Sequence, residues 1–176
     1  MIKKATLSLD KKTLDRAYEI LIYAYAQTEV EVWGENYSRI SRNEYDELIQ
    51  KGEIYFSFDD ESVNGCIQIS SIDDKTFSFG LLAADFNQKG KGIGRKLIAF
   101  VENIARDNGG EKMILEILKP AKIEVEFKTI LHNWYTRLGY KYEETISFLQ
   151  LKTDKIEKAK QLKVPSVFDC YSKKLA

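Results

Sequence analysis

An α+β domain on one sheet of about seven strands, flanked by about four helices, is the fold class this sequence predicts, and three observations carry it. Seven short segments read as strands by alternation or by apolar, β-branched content. Two amphipathic helices precede the middle strands and two more are interleaved with the later ones. One strand runs straight into a glycine-rich turn and a helix. At 176 residues the chain can bury one sizeable core, and its length favours a single domain over residues 1–176.

Residues 2–8 read as the first strand. Leu14, Ala17, Tyr18, Leu21 and Tyr25 form the apolar stripe of a helix whose start Asp10 is placed to cap. Ser41 and Glu44 have capping-box spacing and open a short helix with Tyr45, Leu48 and Ile49 inward, closed by Lys51-Gly52. Strands at 53–58, 65–70 and 76–84, separated by acidic turns, form a meander. In the last of these Phe77, Phe79, Leu81 and Ala83 share one face by alternation, and Gly80 marks a bulge. The next helix buries Ile93, Leu97, Phe100, Val101, Ile104 and Ala105 and stops at Asn108-Gly109-Gly110. A strand at 112–118, a helix stopping at Gly139, a strand from about Lys141 and a closing strand within 162–171 complete the order. The lysine-rich run 155–160 reads as a short surface helix joining the last two strands.

Lys plus Arg balance Asp plus Glu at 27 each, which removes bulk attraction to nucleic acid or an anionic membrane as a basis for function. No apolar run reaches membrane-spanning length, and the start lacks the charged-then-apolar order of a signal peptide, so a cytoplasmic protein with no membrane and no nucleic-acid partner is the expectation. Cys66 and Cys170 belong to no Cys-x-x-Cys unit and are expected as free thiols. With His132 the only histidine, no metal site is expected.

Asn87-Gln88-Lys89-Gly90-Lys91-Gly92-Ile93-Gly94-Arg95-Lys96 places three glycines and four cations at one strand-to-helix turn. Glycines let backbone approach a ligand closely, and the first amides of the following helix have no intrahelical acceptor, so the turn suits a phosphate. A P-loop is excluded because no Gly-Lys-Ser/Thr follows at the required spacing. A dinucleotide fingerprint is excluded because its third glycine falls on Arg95 or Leu97. The run resembles the acyl-coenzyme A loop of the GNAT superfamily of N-acetyltransferases, Gln/Arg-x-x-Gly-x-Gly/Ala, with Lys89 standing at the Gln/Arg position. Trp134-Tyr135-Thr136-Arg137-Leu138-Gly139-Tyr140 resembles the family's aromatic-Tyr-x-x-x-Gly-aromatic segment, one strand and one helix further on, and 162–171 resembles its closing strand.

The resemblance implies a mixed, mostly antiparallel sheet and acetyl-coenzyme A as co-substrate. It implies that Lys89, Gly90, Lys91, Gly92, Ile93, Gly94 and Arg95 hold the pyrophosphate and that Leu82, Ala83 and Ala84 line the pantetheine arm. Tyr135 would lie by the thioester sulfur. A phenol with an ordinary pKa near ~10 stays protonated at neutral pH and can give its proton to a departing thiolate. The family's coenzyme-contacting Asn, seven residues before its Tyr, is here Lys128. Glu116, a lone carboxylate in the apolar segment 113–118, is the first candidate for the base that deprotonates the amine. Selectivity in this family belongs to the segment after the first helix, where Glu31, Trp33 and Tyr37 form a mix suited to a cationic amine. The expected activity is direct acetyl transfer to a small-molecule or peptide amine. The alternative is a non-catalytic coenzyme A-binding or regulatory module on the same fold. An edge at the C-terminal strands offers pairing across a homodimer.

Overall fold

In the computed structural model, which describes residues 1–175, side-chain caps set the starts of the first and third helices. Asp10 accepts a hydrogen bond from the Thr13 amide and opens α1 (Lys11–Thr28). A short α2 (Val30–Trp33), which has no side-chain cap and which the sequence did not announce, leads on to α3 (Arg42–Gln50). There Ser41 and Glu44 exchange reciprocal bonds as their spacing predicts. The remaining helices are α4 (Ile93–Asp107), α5 (Glu126–Arg137), α6 (Phe148–Leu151) and α7 (Ile156–Ala159), the last being the expected surface helix.

The strands β1 (Ile2–Lys4), β2 (Ile54–Asp59), β3 (Ser62–Ser71), β4 (Thr76–Ala84), β5 (Lys112–Pro120), β6 (Lys141–Ser147) and β7 (Ser166–Lys174) form one sheet in the order β1-β2-β3-β4-β5-β7-β6. Every neighbouring pair is antiparallel except β4 and β5, which α4 connects as a crossover. Two spans differ from expectation. The first strand ends at Lys4 because a turn bonds Leu9 N–H to Thr6 O, and the closing strand begins after Pro165 because Lys163 N–H bonds instead to Val32 O.

Helices cover both faces. On one, α4, α5 and the turn after α5 pack Leu97, Val101, Tyr135 and Tyr140 against Ile67, Phe79, Met113 and Leu115. On the other, Leu21 of α1 and Tyr45 of α3 meet Phe56, Leu81 and Ala83. Val32 and Trp33 close the far end over Leu118, Phe148 and Phe168. Fully buried Leu97 contributes about 1.5–3 kcal/mol by leaving water.

β4 departs from simple alternation. Cys66 and Gln68 of β3 oppose Ala83 and Gly80, so Leu81 and Leu82 together face Ile67. This bulge, one residue beyond Gly80, is completed by Leu81 at φ +47°, a left-handed conformation that costs a branched side chain about 1–3 kcal/mol. The extra residue corrects the expected face. Phe77 and Phe79 point to α4, whereas Leu81 and Ala83 point to α1, and Leu82 and Ala84 take over the α4 side.

Candidate active site

Beyond the bulge the sheet opens. β4 and β5 pair only from Thr76 to Ser78 against Lys112 to Ile114, after which each strand stays hydrogen-bonded to its outer neighbour alone. Leu82, Ala83 and Ala84 therefore lie along a β4 edge that β5 does not cover. Extended backbone groups on such an edge are available to a ligand.

At the end of this opening the chain makes a turn of 3-10 helix at Phe86–Gln88 and enters the glycine loop. Gly90 and Gly92 both take positive φ, +84° and +72°, and a methyl on either would meet nothing within 4 Å, so the loop presents bare backbone. Gly92 is the N-cap of α4, which has neither a side-chain cap nor an acidic residue in its first turn. Its leading amides and the positive end of its dipole are left for an anion. Exposed Arg95 stands beside them, and the Lys89 ammonium lies 4.3 Å from the centre of the Phe86 ring. Lys91 reaches Gln88 at 3.4 Å and Asp59 at 3.6 Å. Ile93 is buried and anchors the helix start. Gly94 lets α5 close in, since a Cβ there would sit 3.2 Å from the Trp134 ring. Gly65, which sequence reasoning passed over, serves the same packing from β3, where a Cβ would come within 2.7 Å of Ile93.

The two tyrosines of the Tyr-x-x-x-Gly-Tyr segment are both buried but wired differently. Tyr140 donates to Glu102 at 2.7 Å, and Glu102 is also held by Lys173 at 2.9 Å. Tyr135 packs among Phe79, Trp134 and Tyr140, and its hydroxyl makes no hydrogen bond to a described residue. Burial, reinforced by the Tyr25 phenol, raises its pKa far above the ordinary phenol value. The proton is retained at any physiological pH.

Tyr25, expected only as part of an apolar stripe, is a member of the site. Its phenol lies against the Leu82 backbone N–H, and burial raises its pKa as well. The Arg39 guanidinium covers its ring at 5.6 Å. Next to it Glu29, at the C-terminus of α1 and 6% exposed, accepts a bond from Lys128 Nζ at 3.3 Å. Its other oxygen, Oε1, has no hydrogen-bond partner, and Arg39 Nε stands 3.7 Å away. The departure at Lys128 thus has a structural counterpart. The ammonium ties α5 to the end of α1, and Lys128 also borders a cavity of about 550 Å³ whose wall includes His132 and Tyr171, joined by a 2.7 Å hydrogen bond.

Glu116 lies on the other face of β5, where Lys152 donates to it at 2.5 Å. Glu116 Oε1 is occupied by that ammonium, so a role as base requires the pair to open. The expected cluster of Glu31, Trp33 and Tyr37 does not form a cage. Trp33 is buried over Leu118 and Phe148, and Tyr37 stacks on it at 4.4 Å. Glu31 is exposed on α2. The aromatics cover a core instead of lining a pocket, and the carboxylate beside the opening is Glu29. Cys66 is a buried free thiol, pushed up to about 11 by its burial, and Cys170 is free and half-buried. Among the described residues no cluster of three or more His, Cys, Asp or Glu side chains is placed to hold a metal, and no helix is long and apolar enough to cross a membrane.

The same fold recurs in known proteins. A GNAT family acetyltransferase from Elizabethkingia anophelis with acetyl-CoA bound is 15% identical and aligns over 99% of this chain and 97% of its own, with a TM-score of 0.67. The paia N-acetyltransferase of Thermoplasma acidophilum in complex with coenzyme A is 16% identical, with a TM-score of 0.68 over 99% of this chain and 98% of its own. N-acetylglutamate synthase from Neisseria gonorrhoeae, complexed with coenzyme A and N-acetyl-glutamate, is 14% identical with a TM-score of 0.64; all of this chain aligns with only 35% of that one. No curated protein matches at the level of sequence. At these identities the structures establish the fold. Family membership rests on sequence, because the profile of the acetyltransferase (GNAT) family matches residues 17–140, more than half of the chain. The protein belongs to the acetyltransferase (GNAT) family.

Proposed function

We propose that the protein is an acetyl-coenzyme A-dependent N-acetyltransferase that passes acetyl directly to a primary amine within a ternary complex. One observation carries the reading. Of two buried tyrosines five residues apart, the one whose hydroxyl is unbonded, Tyr135, belongs to the helix that closes on the glycine loop.

The residues fit the co-substrate. Two positive-φ glycines, an uncapped helix start and the cations Lys89, Lys91 and Arg95 suit a pyrophosphate, and the open β4 edge at Leu82–Ala84 suits an amide-bearing arm. Bound acetyl-coenzyme A supplies the acyl group as a thioester. The amides of the β4 edge offer hydrogen bonds where charge develops on the carbonyl oxygen. Tyr135 Oη holds a proton for the sulfur as it leaves, and the apolar ring packing around it excludes water. The amine gives up its own proton to solvent, or to Glu116 when Lys152 withdraws.

A thermal-shift titration comparing acetyl-coenzyme A and coenzyme A with NAD and ATP tests the loop. At ~100 times Kd a ligand adds roughly 2.7 kcal/mol, which for a chain of this size raises Tm by about 5–10 °C. A shift specific to the coenzyme A species supports the reading, and a larger shift with a nucleotide refutes it. Binding without turnover over a broad amine panel would return the protein to the regulatory-module class.

A further inference from the structure

We propose that the acceptor carries a carboxylate beside its amine, received by Arg39 and Lys158 at the junction of the α1–α3 connection with α7. The inference rests on the transferase reading and names its substrate class.

The junction gathers three cations, Arg39, Lys158 and Lys155, against the carboxylates Glu29 and Glu44. Lys158 Nζ donates to the Arg39 backbone oxygen at 3.1 Å, which brings the α7 segment onto the connection and sets the two positive side chains together. The Arg39 guanidinium makes no hydrogen bond to a described residue. Its nearest carboxylate oxygen is Glu29 Oε1 at 3.7 Å, and Glu29 is already bonded to Lys128. Glu44, the other carboxylate that Lys158 senses, spends its side chain on the capping box at Ser41. Lys155, which also faces Lys158, adds a further positive charge. A guanidinium that makes no hydrogen bond, with one carboxylate oxygen 3.7 Å from its Nε, presents a fork of donors matched to a second carboxylate, and a neighbouring ammonium adds charge.

Burial and the Arg39 charge push the Lys158 ammonium down to about 8, the behaviour of a cation short of anions. Arg39 is 31% exposed in its side chain, so a solute reaches it. The site is also connected to the chemistry. Arg39 lies over Tyr25, and the Tyr25 phenol meets both the Leu82 amide and the field of Tyr135. A carboxylate on Arg39 and Lys158 is therefore one aromatic ring removed from the β4 edge. The cationic acceptor expected from composition faces the wrong charge here.

The test is steady-state acetyl transfer by the full chain, read as thiol release, with free amino acids, their matched primary amides and a polyamine as acceptors. Acids are expected to exceed their amides at least tenfold in kcat/KM. Arg39→Gln and Lys158→Gln are expected to bring that ratio toward one through the KM of the acids, with the acetyl-coenzyme A Kd held as a folding control. Equal or better turnover of the amides or the polyamine overturns the proposal. So does an Arg39→Gln effect that strikes acids and amides alike, or coenzyme binding with no turnover of any acid. Failure to bind coenzyme A at all is the distinct result that removes the transferase reading itself.

Discussion

Replacing Lys128 with methionine isolates the buried ion pair that joins α5 to the end of α1. Both side chains are under a tenth exposed, and one 3.3 Å bond links them. The substitution nearly keeps the length of the side chain and removes its charge, leaving Glu29 without its ammonium partner in the interior. Breaking a buried pair from one side costs about 3–5 kcal/mol, because the remaining charge loses its partner but does not regain its water. Arg39, 3.7 Å from the other oxygen, retains part of the attraction, so the low end near ~3 kcal/mol is expected. For a domain of this size that corresponds to a Tm lower by roughly 6–12 °C. The assay is denaturant unfolding of the parent, Lys128→Met, Glu29→Gln and the combined variant. The combined variant should recover to within about 1 kcal/mol of the parent, and its acetyl-coenzyme A Kd should recover with it. Single losses below ~1 kcal/mol that simply add would refute a coupled pair. Recovery of stability without recovery of coenzyme affinity would show that Lys128 contacts the coenzyme, as the family's Asn does at this position.

Tyr135→Phe should lower kcat about a hundredfold with little change in coenzyme Kd, as expected on losing a general acid, and Tm should barely move because the hydroxyl bonds no described residue. An unchanged kcat removes Tyr135 from the mechanism. Gly92→Ala meets no steric obstacle but must hold φ +72°, so a cost of about 1–2 kcal/mol and weaker coenzyme binding are expected, and titration calorimetry with unfolding curves reads both. Lys158 has a folded-state pKa of about 8 against an ordinary 10.5. Below pH 8 the protonated side chain penalises the fold; between about 8 and 10.5 the unfolded chain binds the extra proton and the penalty fades. The stability of the parent relative to Lys158→Met should therefore rise from pH 7.5 to pH 10, and a flat difference across that window would contradict the burial of this ammonium beside Arg39.

Local signals in the sequence were legible because their physics is local. The glycine loop could be read from Gly90 and Gly92, since a positive φ is a property of one residue, and the caps at Asp10 and Ser41 span only three residues. The Glu29–Lys128 bond joins positions 99 apart, and no periodicity registers it. The bulge illustrates a nearer failure. Gly80 flagged it, but the extra residue is taken up at Leu81 and Leu82, which reverses the inward face of the rest of β4. The packing of Trp33 and Tyr37 was not legible because a lid over a core and a cage for a cation have the same composition and differ only in what lies beneath the rings.

The site is assembled from backbone and side-chain groups that the fold leaves without partners. Strand β4 pairs with β5 for three residues and then stops, and the bulge completed by Leu81 puts Leu82 and Ala84 on the α4 side. An ordinary sheet would gain by closing that gap, since each unpaired buried amide forfeits a hydrogen bond. Past Ser78 and Ile114 the inner edges of the two strands are unpaired, while β5 holds to β7 as far as Pro120 and β4 to β3 as far as Ala84. Gly94 and Trp134 meanwhile set α5 close against the start of α4. The uncapped start of α4, the unbonded Tyr135 hydroxyl and the Arg39 guanidinium, which makes no hydrogen bond to a described residue, follow the same rule. Each would be a defect in a purely structural domain. Together they match, in order, the phosphates, the sulfur and the acid group of the two substrates proposed here.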